Sequence, residues 1–184
     1  DYLRLQGVHN VKNALCAIAA AMCMGASAGD VTAALSSAEL SPHRIRDVGA
    51  ACGKRWIDDS KGTNVAACLA AVAQTSGTVC LILGGRGKAT DFSELFTAID
   101  TARVTEVVAM GETAQAIRDS AAGIVPSLKL TVVNGLNEAV KVAAKSDAQT
   151  VLLSPACASF DEFKSYAERG DRFAAAVKAI GGEA

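Results

Sequence analysis

Apolar residues recur at Val11, Leu15, Ile18 and Met22, the spacing of one helix face. They predict a helix over residues 10–24, with Asn10 as its N-cap and Gly25 as its stop. A shorter helix is expected over 30–37, and Leu40-Ser41-Pro42-His43-Arg44 then reads as a break. Beyond it the pattern changes. Residues 46–51 and 54–58 flank a Cys52-Gly53 turn and suggest a hairpin. Continuous apolar runs at 79–83, 104–110, 128–133 and 150–153 predict strands buried on both faces. Between them, Ala-rich stretches at 63–75, 93–99, 112–121 and 138–145 predict helices, and an amphipathic helix is expected over 161–180.

Strands alternating with helices imply an α/β fold: a mostly parallel sheet with helices on both faces and the hairpin as an antiparallel edge. The two helices before the break have no partner strand and are too little for a domain alone. In such sheets ligands bind beyond the carboxyl ends of the strands, where strand order reverses. The loops after Ile57, Leu83, Met110, Val133 and Leu153 are therefore the places to look for chemistry.

Composition narrows the partners. The chain has 184 residues, with 18 Lys+Arg against 19 Asp+Glu. That balance argues against binding driven by phosphate neutralisation, so neither nucleic acid nor a membrane surface is an expected partner. Hydrophobic residues make up 51% and aromatic ones 4%, while 37 residues are Ala. A core of close helix–sheet contacts follows, rather than one built on large rings. No run of about 18 apolar residues is present, and no basic, then apolar, leader opens the chain. The six cysteines form no Cys-x-x-Cys pair and read as reduced core residues of a cytoplasmic protein.

Three strand-end loops are chemically unusual. Asp58-Asp59-Ser60-Lys61-Gly62-Thr63-Asn64 gathers acids, a Lys and small polar groups before a helix that Ser60 or Thr63 could cap. An anion site and a capped loop with solvated charges weigh equally there. Gly84-Gly85-Arg86-Gly87-Lys88 lacks the P-loop spacing, because Ile82 stands where the first Gly is needed, and it matches the dinucleotide fingerprint poorly. What remains is a loop presenting Lys88, and with it Arg86, to a carboxylate, or a surface turn with two solvated cations. In Ser154–Glu162, Ser159 and Glu162 have capping-box spacing and predict a helix start. Cys157 has no nearby imidazole in sequence, which argues against a thiol nucleophile. Two further clusters lie near the break: Asn10 and Asn13, three apart on one helix face, could read a base edge or simply be an N-cap and a surface amide. His43-Arg44 could meet a phosphate or an acidic neighbour.

In chain order, Gly-x-His-Asn-x-x-Asn-Ala, His-Arg, Asp-Ser-Lys-x-Thr-Asn, Leu-Gly-Gly-x-Gly-Lys and Leu-Ser-Pro-Ala-Cys-Ala-Ser-x-Asp-x-Phe resemble the C-terminal part of Mur ligases, in particular the D-glutamate-adding branch. The likeness runs from about Gly7 to Phe173, with Gly62 where Ala is common and Arg86 where an acid is usual. It implies that residues 1–44 end a central ATP-binding domain and that 45–184 form a Rossmann-like, glutamate-binding C-terminal domain. It also implies an ATP- and Mg²⁺-dependent amide synthesis through an acyl phosphate, with UDP-MurNAc-L-alanine and D-glutamate as substrates of a monomeric enzyme. Asn10, Asn13, Arg44 and Asp59 would contact the nucleotide. Thr63, Lys88, Ser159 and the Phe160 backbone would hold D-glutamate, with Tyr166 packing nearby, and Lys61 and Lys88 would supply charge to the reaction. No P-loop or Mg²⁺ ligand set is identifiable in these residues, so the piece by itself is expected to be inactive. A free-standing nucleotide-binding module and a folate-adding relative are the competing expectations.

Overall fold

The computed structural model describes residues 8–38, 41–87 and 91–182. The chain divides into two compact units, Asp1–Ser41 and Pro42–Ala184.

The first unit holds α1 (Val8–Cys23) and α2 (Ala28–Ser37). Helix α1 starts before Asn10, which lies in its first turn and is not the N-cap. The chain leaves α1 through Gly25 at φ 93°, a left-handed conformation that Gly adopts freely. Helix α2 begins earlier than the apolar pattern suggests because Ser27 caps it. The Asp30 N–H donates to Ser27 Oγ at 3.2 Å and the Ser27 N–H to Asp30 Oδ2 at 3.1 Å, a reciprocal capping box.

The second unit contains β1 (Arg46–Ala51), β2 (Lys54–Asp58), α3 (Val65–Gln74), β3 (Val79–Gly84), α4 (Ser93–Ala98), β4 (Val104–Met110), α5 (Ala114–Ile124), β5 (Lys129–Val132), α6 (Leu136–Ala144), β6 (Thr150–Leu153) and α7 (Tyr166–Gly181). One six-stranded sheet runs β1-β2-β6-β3-β4-β5, parallel throughout except for the antiparallel β1–β2 edge. The hairpin and the four apolar strands thus fall where the sequence pattern puts them.

Period-two alternation inside fully apolar strands builds two cores at once. Leu81, Leu83, Val107 and Leu152 face a layer that includes Cys68, Leu95, Phe96 and Ile117 of α3, α4 and α5. Their neighbours Cys80, Ile82, Val108 and Leu153 face Leu136, Val140, Phe173 and Val177 of α6 and α7. Trp56 packs on Phe173, ring centroids 5.9 Å apart, and its indole N–H donates to the Ala51 carbonyl at 3.0 Å.

Two helix caps in this unit depart from expectation. Helix α3 is capped by Asn64, whose Oδ1 accepts from the Ala67 N–H at 2.8 Å, so neither Ser60 nor Thr63 is the cap. Helix α7 begins at Tyr166, five residues later than expected, and its cap is Ser165 and not Ser159. The Ser-x-x-Glu spacing occurs twice, and tertiary contacts engage the first copy elsewhere. Glu162 Oε2 accepts from the Leu136 N–H at the start of α6, and Asp161 Oδ2 accepts from the Glu112 N–H, both at 3.2 Å. Ser165 Oγ accepts from the Glu168 N–H, and Glu168 in turn accepts from Lys164 N–H. The cysteines also divide: Cys68, Cys80 and Cys157 are buried, whereas Cys16, Cys23 and Cys52 are exposed, and all six are free thiols.

Candidate functional site

Because β6 inserts between β2 and β3, the loops that follow these three strands emerge side by side. This is the position where strand order reverses. Backbone hydrogen bonds tie the loops together: Ala156 N–H to Gly62 O, Gly84 N–H to Pro155 O and Arg86 N–H to Ala158 O, each 2.9 Å. Gly84 and Gly85, at φ 112° and 139°, lie against the Met110 and Ala158 carbonyls, where a Cβ has no room. These two glycines therefore serve close strand-end packing.

Between these loops lies a cleft of about 450 Å³ lined by Thr63, Asn64, Arg86, Ala156, Cys157 and Ala158, among others. Thr63 is exposed and lines the cleft, as does Gly87. Lys88, the next residue, lies outside the described residues. Ser159, adjoining Ala158, is buried, while Phe160 is exposed. Cys157 meets Thr113 Oγ1 at 3.4 Å, and burial pushes its thiol pKa up, which disfavours the thiolate a nucleophile needs.

Below the cleft sits a residue that the sequence pattern did not single out. Arg169 is fully buried and, among the described residues, forms no ion pair with a carboxylate. Its Nε donates to Ser60 Oγ at 2.9 Å, Nη2 to the carbonyls of Ser60 (2.8 Å) and Cys157 (3.1 Å), and Nη1 to the carbonyl of Ala158 (3.2 Å). Loss of hydration pulls its pKa down to about 10. The signal available in the sequence was its place on the Arg169, Phe173, Val177 stripe of a helix, where an apolar residue is the ordinary occupant.

The loop after β2 is fixed from its other side by His43. Its Nδ1 lies 2.6 Å from Asp58 Oδ2, a buried contact, and its carbonyl accepts the Lys61 N–H at 3.0 Å. His43 and Ile45 both take left-handed backbone, φ 61° and 48°, bracketing the half-buried Arg44 in a sharp turn. Lys61 places its ammonium 5.6 Å from the centre of the Tyr166 ring, a cation–π contact, and that ring meets His43 edge-on at 6.4 Å. Thus Lys61, Tyr166 and the His43-Arg44 turn share one neighbourhood.

Asp59 is buried, with its Oδ2 accepting the Ser154 hydroxyl at 2.7 Å and its Oδ1 the Ile45 N–H at 3.3 Å. Desolvation pushes its pKa up to about 6, against the lowering effect of those two bonds and of Arg44. Asn13 is exposed on α1 in the other unit, and Asn10 is in the first turn of the same helix. Among the described residues no group of three or more His, Cys, Asp or Glu side chains is arranged to hold a metal ion. No helix among them is long and apolar enough to cross a membrane.

No family model matches the chain. Individual proteins do. It is 38% identical over 181 residues to the UDP-N-acetylmuramoylalanine--D-glutamate ligase of Methylococcus capsulatus, covering 98% of this chain and 39% of that one. The enzyme of that name from Hahella chejuensis is 40% identical over 186 residues, with 98% and 41% covered. The chain thus spans about two-fifths of the length of the curated relatives it matches. In fold it resembles UDP-N-acetylmuramate-alanine ligase MurC from Thermotoga maritima, at a TM-score of 0.65 and 20% identity over 96% of this chain and 39% of that one. It also resembles Mycobacterium tuberculosis folylpolyglutamate synthase complexed with ADP, at 0.68 and 17% over 93% and 41%. By sequence over nearly its whole length, the chain is similar to the C-terminal part of the Mur ligases named UDP-N-acetylmuramoylalanine--D-glutamate ligase.

Proposed function

We propose that this chain is the amino-acid-receiving portion of an ATP-dependent ligase that joins D-glutamate to UDP-N-acetylmuramoyl-L-alanine in peptidoglycan synthesis. The carrying observation is the 38–40% identity, over 98% of the chain, to relatives bearing that ligase name. The cleft at the switch point supports it: it is small, lies at the carboxyl ends of β2, β3 and β6, and is rimmed by hydroxyl, backbone and cationic groups.

In this reading Thr63, Lys88, Ser159 and the Phe160 backbone hold the carboxylates of D-glutamate, and Tyr166 packs beside them. Lys61 and Lys88 are the catalytic cations, supplying positive charge as the amine attacks an acyl phosphate. Asn10 and Asn13 contact the adenine, and Arg44 and Asp59 the phosphate and ribose. Their shared task is orientation and charge neutralisation, which lower the barrier by holding reactants in attack geometry. ATP supplies the activating phosphoryl group. Mg²⁺ would serve the complete enzyme, through ligands outside this chain. Residues 1–44 would close a central ATP-binding domain and 45–184 form the glutamate-binding domain of a monomeric, cytoplasmic enzyme.

The test is product formation. The full-length polypeptide that carries this chain, given ATP, Mg²⁺, UDP-MurNAc-L-alanine and D-glutamate, should release phosphate and form one amide per ATP. The 184-residue chain alone should form none. Turnover with L-glutamate and a folate in place of these substrates would replace this reading with that of a folate-adding ligase.

A further inference from the structure

Of the described residues lining the cleft, one carries a charge: Arg86. Its backbone is held in place, because its N–H donates to the Ala158 carbonyl at 2.9 Å and the two residues form an isolated antiparallel bridge. Its side chain leans toward Glu112 in the loop after β4. Nε donates to Glu112 Oε2 at 3.2 Å and Nη2 to Oε1 at 2.8 Å. The carboxylate therefore takes the side-on face of the guanidinium, formed by Nε and Nη2. A guanidinium has five N–H groups in a rigid plane. The end-on edge, one N–H of Nη1 and one of Nη2, has no partner among the described residues, nor has the second N–H of Nη1.

Glu112 is itself fixed, since its backbone N–H donates to Asp161 Oδ2 at 3.2 Å. Both partners of the ion pair are about half exposed, 55% and 52%, and an exposed pair of this kind adds little to stability. Its geometric effect is larger: a bidentate clamp removes the rotational freedom of a long side chain that borders the cleft. An Arg already oriented in this way loses less entropy when its remaining edge meets a carboxylate.

We infer that Arg86 is a carboxylate-binding residue of this cleft, gripping one of the two carboxylates of the incoming amino acid with its end-on edge, and that Glu112 is the positioning residue that orients it. The inference rests on the reading of the cleft as the amino-acid site. It adds a contact that the family likeness does not supply, since an acid is usual at that position.

The experiment is initial-rate kinetics of the full-length enzyme with D-glutamate varied, after circular dichroism has shown that each variant is folded. Arg86→Ala should raise KM for D-glutamate by roughly tenfold or more, the size of a lost charge-assisted hydrogen bond, with kcat within about twofold. Glu112→Ala should raise KM by less, and the double variant should be no worse than Arg86→Ala, because Glu112 acts only through Arg86. Arg86→Lys should recover only part of the loss, as one ammonium cannot hold Glu112 side-on and offer a second fork. An unchanged KM in Arg86→Ala overturns the inference. So does a lower KM in Glu112→Ala, which would make Glu112 a competitor of the ligand. If the wild-type enzyme forms no amide with D-glutamate, the reading of the site fails first, and this inference with it.

Discussion

Arg169 and Ser60 stand 109 residues apart in the chain, yet two hydrogen bonds join them, Nε to the hydroxyl at 2.9 Å and Nη2 to the carbonyl at 2.8 Å. The same guanidinium reaches the carbonyls of Cys157 and Ala158. One side chain of α7 thus clamps the loop after β2 to the loop after β6, directly beneath the cleft. Burying a cation without a carboxylate is costly, and four acceptors offset that cost.

Arg169→Ala should accordingly lower unfolding stability by roughly 3–5 kcal/mol, since several buried acceptors lose their donor together. Arg169→Lys should regain only part, because an ammonium lacks the planar fork that spans both loops. Urea denaturation gives the magnitude. Hydrogen exchange gives the place: amides at 60–62 and 156–159 should exchange faster while those of β4 hold. Uniform acceleration across the sheet would reject a local clamp.

Asp59 introduces a pH dependence of unusual sign for a carboxylate. Burial keeps it protonated up to about pH 6 in the folded protein, whereas its ordinary value is 3.8. The folded state therefore binds the extra proton between those values, and the contribution of Asp59 to stability falls as pH rises from about 4 to about 6. Near neutrality the cost approaches about 2–3 kcal/mol. Comparing wild type with Asp59→Asn by chemical denaturation from pH 4 to 7 isolates it. The wild-type advantage should shrink as pH rises and level off above pH 7; a constant or growing difference would mean the carboxyl is ionised throughout.

At Gly62 the loop is tight against its own neighbours. A Cβ there would run into the Asp59 carboxylate and lie 2.7 Å from Ser154 Oγ. Gly62→Ala must therefore displace the Asp59–Ser154 bond, and an overpacking cost of about 1–3 kcal/mol is expected. For a chain of this size that corresponds to a melting temperature lower by roughly 2–10 °C, readable by calorimetry. An unshifted melt would show that the loop yields without strain.

Lys88→Ala in the full-length enzyme should raise KM for D-glutamate and also lower kcat, because this cation is proposed to neutralise charge as well as to bind. Loss of a charge-assisted bond of about 1.5–3 kcal/mol corresponds to at least a tenfold fall in kcat/KM. An unchanged kcat/KM would remove Lys88 from the site.

The element order was legible because local rules suffice for it. A short, fully apolar run such as residues 79–83 fits a strand covered on both faces, and Cys52-Gly53 between two short segments suggests a hairpin turn. The family likeness likewise lay in short contiguous motifs, which need no fold to be seen. Helix starts were less legible. Ser159-x-x-Glu162 and Ser165-x-x-Glu168 are equivalent as strings, and only the second caps a helix, because Asp161 and Glu162 bond to the backbones of Glu112 and Leu136.

By itself, then, the sequence determined the α/β class, the strand-end position of the unusual loops and the kinship with D-glutamate-adding ligases. Hydrophobic period and contiguous motifs are properties of neighbouring residues. Only the tertiary structure decided that β6 inserts between β2 and β3, that Asp59 is buried, that Arg169 clamps two loops and that Glu112 turns Arg86 along the rim of the cleft. Each of these depends on groups from 26 to 109 positions apart meeting in space, and no local pattern encodes such a meeting.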